Sequence, residues 1–294
     1  MSAGIVNIRR EARLEQGFEV YRLQSPRLEI AVVPELGARI ISLKNLQTGR
    51  EWMWHRKGKL RLFRNRLGDD FSQSPLVGAD ECLPTIAPCC VRNRQLPDHG
   101  EVWSAAWGVN AEAWEEGVLQ TSVDLPISPF EFERTLTVQD SQVNLSYRLR
   151  NRGEVEESYL WALHPLLRLE PGDRLQLPAT TRALLNGEAW IDAVDAVIPQ
   201  GGCSKLFARP LAEGAVEVRN RDGGDRLRME WDPAENDTLG LWLTRGGWHE
   251  HHHLAVEPTN GAPDALAVAA RQGCCGIVPA CSSRTWRVTL RVGP

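Results

Sequence analysis

The stretch Phe130-Glu131-Phe132-Glu133-Arg134-Thr135-Leu136-Thr137-Val138-Gln139-Asp140-Ser141-Gln142-Val143-Asn144-Leu145-Ser146-Tyr147-Arg148-Leu149-Arg150 decides the fold class. In its second half Val143, Leu145, Tyr147 and Leu149 alternate with Asn144, Ser146, Arg148 and Arg150. Successive side chains of a strand point to opposite faces, so this alternation lays an apolar set on a core and a polar set in water. Working outward, β-rich runs separated by turn residues recur at 18–23, 28–33, 39–45, 119–125 and 130–138, and again at 215–220, 226–231, 239–244, 254–257 and 285–292. Gly and Pro punctuate the intervals, and no long stretch has a 3.6-residue period, a fixed repeat or low complexity. The pattern predicts an all-β protein built as a large antiparallel β-sandwich. No linker-like shift in composition divides the halves, so one domain over residues 1–294 is expected.

Composition narrows the function. Hydrophobic residues at 42% and charged residues at 24% suit a chain that buries a substantial core. A formal charge of -4 provides no positive field to draw the protein onto a polyanion, so nucleic acid is not an expected partner. The cysteines number seven, with Cys89-Cys90 and Cys274-Cys275 adjacent and no CxxC spacing. Reduced, mostly buried thiols follow, and with them a cytoplasmic location without membrane association. Neither a signal peptide nor an apolar run long enough to span a bilayer is read from the sequence.

Three segments put a titratable side chain beside residues that restrict the backbone. They are Gly78-Ala79-Asp80-Glu81-Cys82-Leu83-Pro84-Thr85 leading to Leu96-Pro97-Asp98-His99-Gly100-Glu101-Val102-Trp103, then Trp161-Ala162-Leu163-His164-Pro165, then Leu254-Ala255-Val256-Glu257-Pro258-Thr259-Asn260-Gly261. Proline after His164 and after Glu257 biases both toward extended backbone at a strand end. Alternation turns Tyr159, Trp161 and Leu163 toward a core and His164 toward the opposite face. The same logic groups Glu257 with Ala255, His253 and His251, against Val256 and Leu254.

These segments, in this order, resemble the galactose mutarotase-like (aldose 1-epimerase) superfamily. Val33-Pro34-Glu35-Leu36-Gly37-Ala38-Arg39-Ile40 with Ser42-Leu43 is similar to the family's opening strands, and 277–292 to its closing ones. The resemblance implies a β supersandwich holding a sugar on its concave face, two histidines and a glutamate doing the chemistry, and no metal or other cofactor. By motif, His99 and His164 look like the histidines and Glu257 like the glutamate. Pro165-Leu166-Leu167-Arg168 after the second histidine departs from the family pattern. The family's Asn-Arg pair before the first histidine has no counterpart beyond Asn65-Arg66 or Asn93-Arg94, and these two departures together mark a divergent member.

The implied activity is interconversion of aldose anomers. A base takes the anomeric hydroxyl proton while an acid protonates the ring oxygen. On this reading Glu257 is the base and protonated His164 the acid, with His99 assisting. Asp80, Glu81, Trp103, His253 and Arg66 are the expected substrate contacts, Trp103 as a stacking platform. Two alternatives use the same fold: a non-catalytic carbohydrate-binding or sugar-sensing protein, and a hexose-phosphate mutarotase whose arginines among Arg61, Arg64, Arg66, Arg92 and Arg94 hold the phosphate. The partner in each case is a small-molecule sugar, and the chain is expected as a monomer or homodimer. Asp80 and Glu81 are neighbours on a strand and face opposite ways, which argues against a glycosidase carboxylate pair. The run His249-Glu250-His251-His252-His253 lacks a second separated ligand group and is not read as a metal site.

Overall fold

A computed structural model describes residues 8–185, 191–192 and 199–293. Two nine-stranded antiparallel sheets dominate it. The front sheet runs, in spatial order, Arg9–Glu15, Phe18–Gln24, Leu28–Val33, Arg39–Asn45, Ala79–Cys82, Ala162–Leu167, His252–Thr259, Thr238–Arg245 and Cys203–Ala208. The back sheet runs Ile191–Asp192, Arg174–Gln176, Ala215–Arg219, Arg226–Trp231, Ser283–Gly293, Gln142–Asn151, Phe130–Gln139, Leu119–Asp124 and Gly108–Val109. The predicted strands are all present, within a few residues at their ends. Among the described residues the α-helices are short, and none is long and apolar enough to cross a membrane.

The hairpin of the deciding stretch pairs in the register its alternation demands. Phe132 lies opposite Leu149, and Leu136 opposite Leu145. Their apolar faces meet Leu23, Ile30, Leu43, Trp161, Leu163, Leu241 and Val256 from the front sheet in one buried cluster. Full burial of each large side chain stabilises the fold by roughly 1.5–3 kcal/mol. Within this cluster the Tyr147 ring stacks on Phe132 at 5.9 Å and on Trp286 at 5.5 Å, so Trp286 is core material here.

One charged group crosses this core. Glu81 lies opposite Leu163 in the sheet register and therefore points between the sheets. Its carboxylate accepts hydrogen bonds from Arg134 at 2.9 Å, the Tyr147 hydroxyl at 2.9 Å and the Trp161 indole at 2.8 Å. Arg134 also donates to the Ala38 carbonyl, so a single ion pair joins the two sheets. A buried charge is tolerable only when paired and hydrogen-bonded, and these three donors meet that condition.

Candidate active site

The outer face of the front sheet carries a transverse row of polar residues. Asp80 pairs with His164 across one ladder, and Glu257 pairs with Gly240 across another. Between those ladders Ala162 pairs with Thr259 and Leu166 with Ala255, a register that sets His164 across from Glu257. Directly opposed residues on neighbouring strands bring their side chains within contact distance. His164 Nε2 lies 3.5 Å from Glu257 Oε1, with both side chains buried. The absence of a side chain at Gly240 leaves a lane beside Glu257. Through it Lys205, from the edge strand Cys203–Ala208, reaches the other carboxylate oxygen, Oε2.

His99 arrives from a loop. Its backbone is left-handed (φ 56°), as is that of Gly100 (φ 76°). A β-carbon at position 100 would fall 2.1 Å from the Leu83 carbonyl oxygen, so only glycine permits this approach. The loop is pinned by His99 N–H donating to the Ile86 carbonyl and Glu101 N–H donating to the Leu83 carbonyl, each at 2.7 Å. The His99 ring stacks on Phe71 at 3.8 Å and stands edge-on to His164 at 5.3 Å. Its Nδ1 is 2.9 Å from Asp98 Oδ1, leaving Nε2 as the nitrogen available to a ligand.

These side chains surround a pocket of about 210 Å³. Phe71, Trp242 and Trp248 supply aromatic walls, and His99, His164, His253, Lys205, Asp98 and Asp264 the polar ones. An aromatic wall facing convergent polar groups suits a small polyhydroxylated molecule.

Burial governs the electrostatics. It pushes His164 well below the ordinary imidazole range, helped by the charges of His99, Lys205 and Arg39. It pushes His253 down to about 3, with neighbouring histidines adding to the effect. Both rings are therefore neutral at pH 7. Asp80 is raised to about 6 by burial, against the opposing pull of Arg39 at 2.7 Å. Burial would lower Lys205, but Glu257 and Asp264 outweigh it and hold the ammonium charged. Burial would raise Asp98, but its hydrogen bond from His99, the charge of His99 and two backbone amides keep it ionised. Glu257 Oε1, Asp264 Oδ1, His164 Nδ1 and both ring nitrogens of His253 are buried without a hydrogen-bond partner. Among the described residues, no three His, Cys, Asp or Glu side chains are grouped to hold a metal ion.

No protein-family model and no curated protein matches the chain. Solved structures do match along nearly its full length. A candidate aldose 1-epimerase from Klebsiella pneumoniae subsp. pneumoniae superposes with a TM-score of 0.74 at 14% identity, over 97% of this chain and 83% of that one. A galactose mutarotase-like protein from Clostridium acetobutylicum superposes at 0.71 and 11% identity, over 97% and 98%. A galactose mutarotase related enzyme from Lactobacillus acidophilus gives 0.67 and 12%, over 94% and 97%. The chain has the galactose mutarotase-like fold.

On this galactose mutarotase-like scaffold the residues predicted from sequence divide into two groups. His99, His164 and His253 line the pocket, whereas Glu257 is fully buried against His164 and Lys205 and does not itself line it. Four expected substrate contacts do not line it either. Glu81 points into the core, because strand alternation puts it on the face opposite Asp80. Asp80 shares the face of His164 but is fully buried on Arg39 and does not line the pocket. Trp103 is 1% exposed, packed edge-on behind Phe71 with its indole donating to the Asp98 carbonyl, so it supports the wall instead of forming it. Arg66 is exposed and away from the pocket. Of the other arginines considered for phosphate, Arg64 is tied to Glu35, and Arg92 and Arg94 to Glu157. The sequence reading missed Lys205, Asp264, Phe71, Trp242 and Trp248. Only Lys205 carried a signal, as one of four lysines in an arginine-rich chain.

Proposed function

We propose that this protein interconverts the anomers of an aldose by acid–base ring opening and closure. The observation that carries the reading is a pocket with aromatic walls lined by His99 and His164, edge-on at 5.3 Å, with the buried carboxylate of Glu257 3.5 Å from His164. Glu257 takes the proton of the anomeric hydroxyl as the bond between the anomeric carbon and the ring oxygen breaks. The ring oxygen takes a proton from His99, which the ionised Asp98 orients. The aldehyde then rotates, and the same transfers in reverse close the ring on either face, so no proton is gained or lost. With the His164 imidazolium disfavoured by burial, His164 serves on this reading as a hydrogen-bond partner and His99 takes the acid role that the sequence reading gave to His164. The buried, unpartnered atoms of Glu257, Asp264 and His253 are the natural partners of sugar hydroxyls.

One observation favours a second reading, a sugar-binding protein without turnover. The Lys205 ammonium sits on Glu257 Oε2 and neutralises the base. NMR saturation exchange between anomer signals, over a panel of aldoses and hexose phosphates, separates the two. Turnover is expected in the wild type, with a loss of about 10²-fold or more in Glu257→Gln. Sugar binding with exchange no faster than buffer for every sugar would establish the second reading.

A further inference from the structure

Beside the pocket lies a groove of about 810 Å³ whose walls include Trp54, Arg56, Lys57, Arg168 and His251. We infer that this groove holds the acidic second unit of an oligosaccharide whose reducing-end ring occupies the pocket. The inference rests on the sugar-site reading above and extends it to substrate class.

The two compartments share a wall. The His253 ring lines the pocket and the His251 ring lines the groove, with their centres 6.3 Å apart. The Trp54 ring packs on both, at 4.5 Å from His253 and 5.2 Å from His251. Leu166 on the pocket side and Arg168 on the groove side are two residues apart, the spacing of one strand face. The two compartments therefore adjoin across a wall one layer of rings thick.

The groove is positively charged. In the groove Arg56, Lys57 and Arg168 outnumber Glu250. Arg56 is steadied by donating to the Ser72 carbonyl at 2.9 Å, and the contact of Arg168 with Glu170, at 3.7 Å between exposed side chains, is too weak to withhold it from a ligand. Guanidinium groups match a carboxylate with paired hydrogen bonds. Size selects the carrier: at 810 against 210 Å³ the groove exceeds the pocket itself, and the half-buried Trp54 offers an aromatic face. A second sugar ring uses both features, whereas a phosphoryl group alone uses neither.

Calorimetric titration of the intact protein with digalacturonate, neutral galactobiose and galactose 6-phosphate tests this. Digalacturonate is expected to bind at least about tenfold tighter than galactobiose, a difference of about 1.4 kcal/mol. Added salt should shrink the gap. The double substitution Arg56→Gln with Arg168→Gln, at exposed positions, should abolish the gap by lowering digalacturonate affinity about tenfold, with the fold retained by circular dichroism. Equal affinities in the wild type, a gap indifferent to salt, or a gap that survives the double substitution would overturn the inference. So would a tenfold gain for galactose 6-phosphate with none for digalacturonate, which would make the groove a phosphoryl site. These are binding measurements, so a preference for digalacturonate without anomer exchange would remove the enzymatic reading and leave the groove assignment standing.

Discussion

Gly240 and Glu257 face each other across the antiparallel strands Thr238–Arg245 and His252–Thr259, and a β-carbon at position 240 would stand 3.0 Å from Glu257 Oε2. That missing side chain lets Lys205 reach the carboxylate and fixes which oxygen is left toward His164. Gly240→Ala is therefore expected to displace the Glu257 carboxylate by a few tenths of an ångström and disturb its pairing with Lys205. Anomer exchange should fall by about tenfold or more, since small misplacements of a reacting group are costly. The stability loss should be about 1–3 kcal/mol, the scale of modest overpacking. Exchange rates and urea midpoints measured together check both parts, and unchanged exchange would show that the position of Glu257 is not critical.

Lys205 and Glu257 form the buried ion pair of the pocket. Lys205→Met leaves the carboxylate uncompensated and is expected to destabilise the protein by about 3 kcal/mol. Combined with Glu257→Gln, the second loss should be much smaller than the first, a coupling that a double-mutant cycle in urea reads directly. Additive losses would mean that the pair is not formed in solution.

Glu81 was expected from sequence to touch substrate, yet its carboxylate joins the two sheets through Arg134, Tyr147 and Trp161. Arg134→Met should destabilise the fold by about 3–5 kcal/mol, because it strands a buried charge. Tyr147→Phe should cost about 1.5–3 kcal/mol by removing one hydrogen bond to that charge. In both variants the folded fraction should bind sugar with wild-type affinity. A sugar affinity that drops with either substitution would return Glu81 to the site.

Neutral burial of His253 makes stability depend on pH in a defined direction. Its folded-state value of about 3 lies below the unfolded value of 6.5, so the unfolded chain binds the extra proton first and stability falls as pH drops below 6.5. Between pH 7 and pH 5 this one group removes about 2 kcal/mol. His164, also depressed, acts in the same direction. Asp80, raised to about 6, acts oppositely between about pH 4 and 6, since there the folded state holds the extra proton. Comparing the wild type with His253→Gln cancels the Asp80 contribution. The variant should lose about 2 kcal/mol less than the wild type over the same interval, as measured by denaturation midpoints. Parallel curves would mean that His253 is not buried neutral.

Strand alternation and the placement of Pro and Gly determined much of this protein without reference to its tertiary structure. The hairpin of 130–150, the antiparallel sandwich, and the outward turn of His164 and Glu257 against the inward turn of Trp161 and Val256 are all consequences of a period of two, a strictly local property. Alternation likewise puts Asp80 and Glu81 on opposite faces, although it is silent on which of the two faces the core. What lies across the sheet is not local. Trp103 is adjacent in sequence to the His99 loop but packs behind Phe71, and the pocket's aromatic walls come instead from Phe71, Trp242 and Trp248. Lys205 reaches Glu257 only because the one intervening strand, Thr238–Arg245, pairs with both neighbours in a fixed register and carries a glycine opposite Glu257. The protonation state of His164 also belongs to the tertiary structure, because an imidazole is neutralised by the depth of protein around it and by charges brought near from Lys205 and Arg39, neither of which neighbours it in the chain.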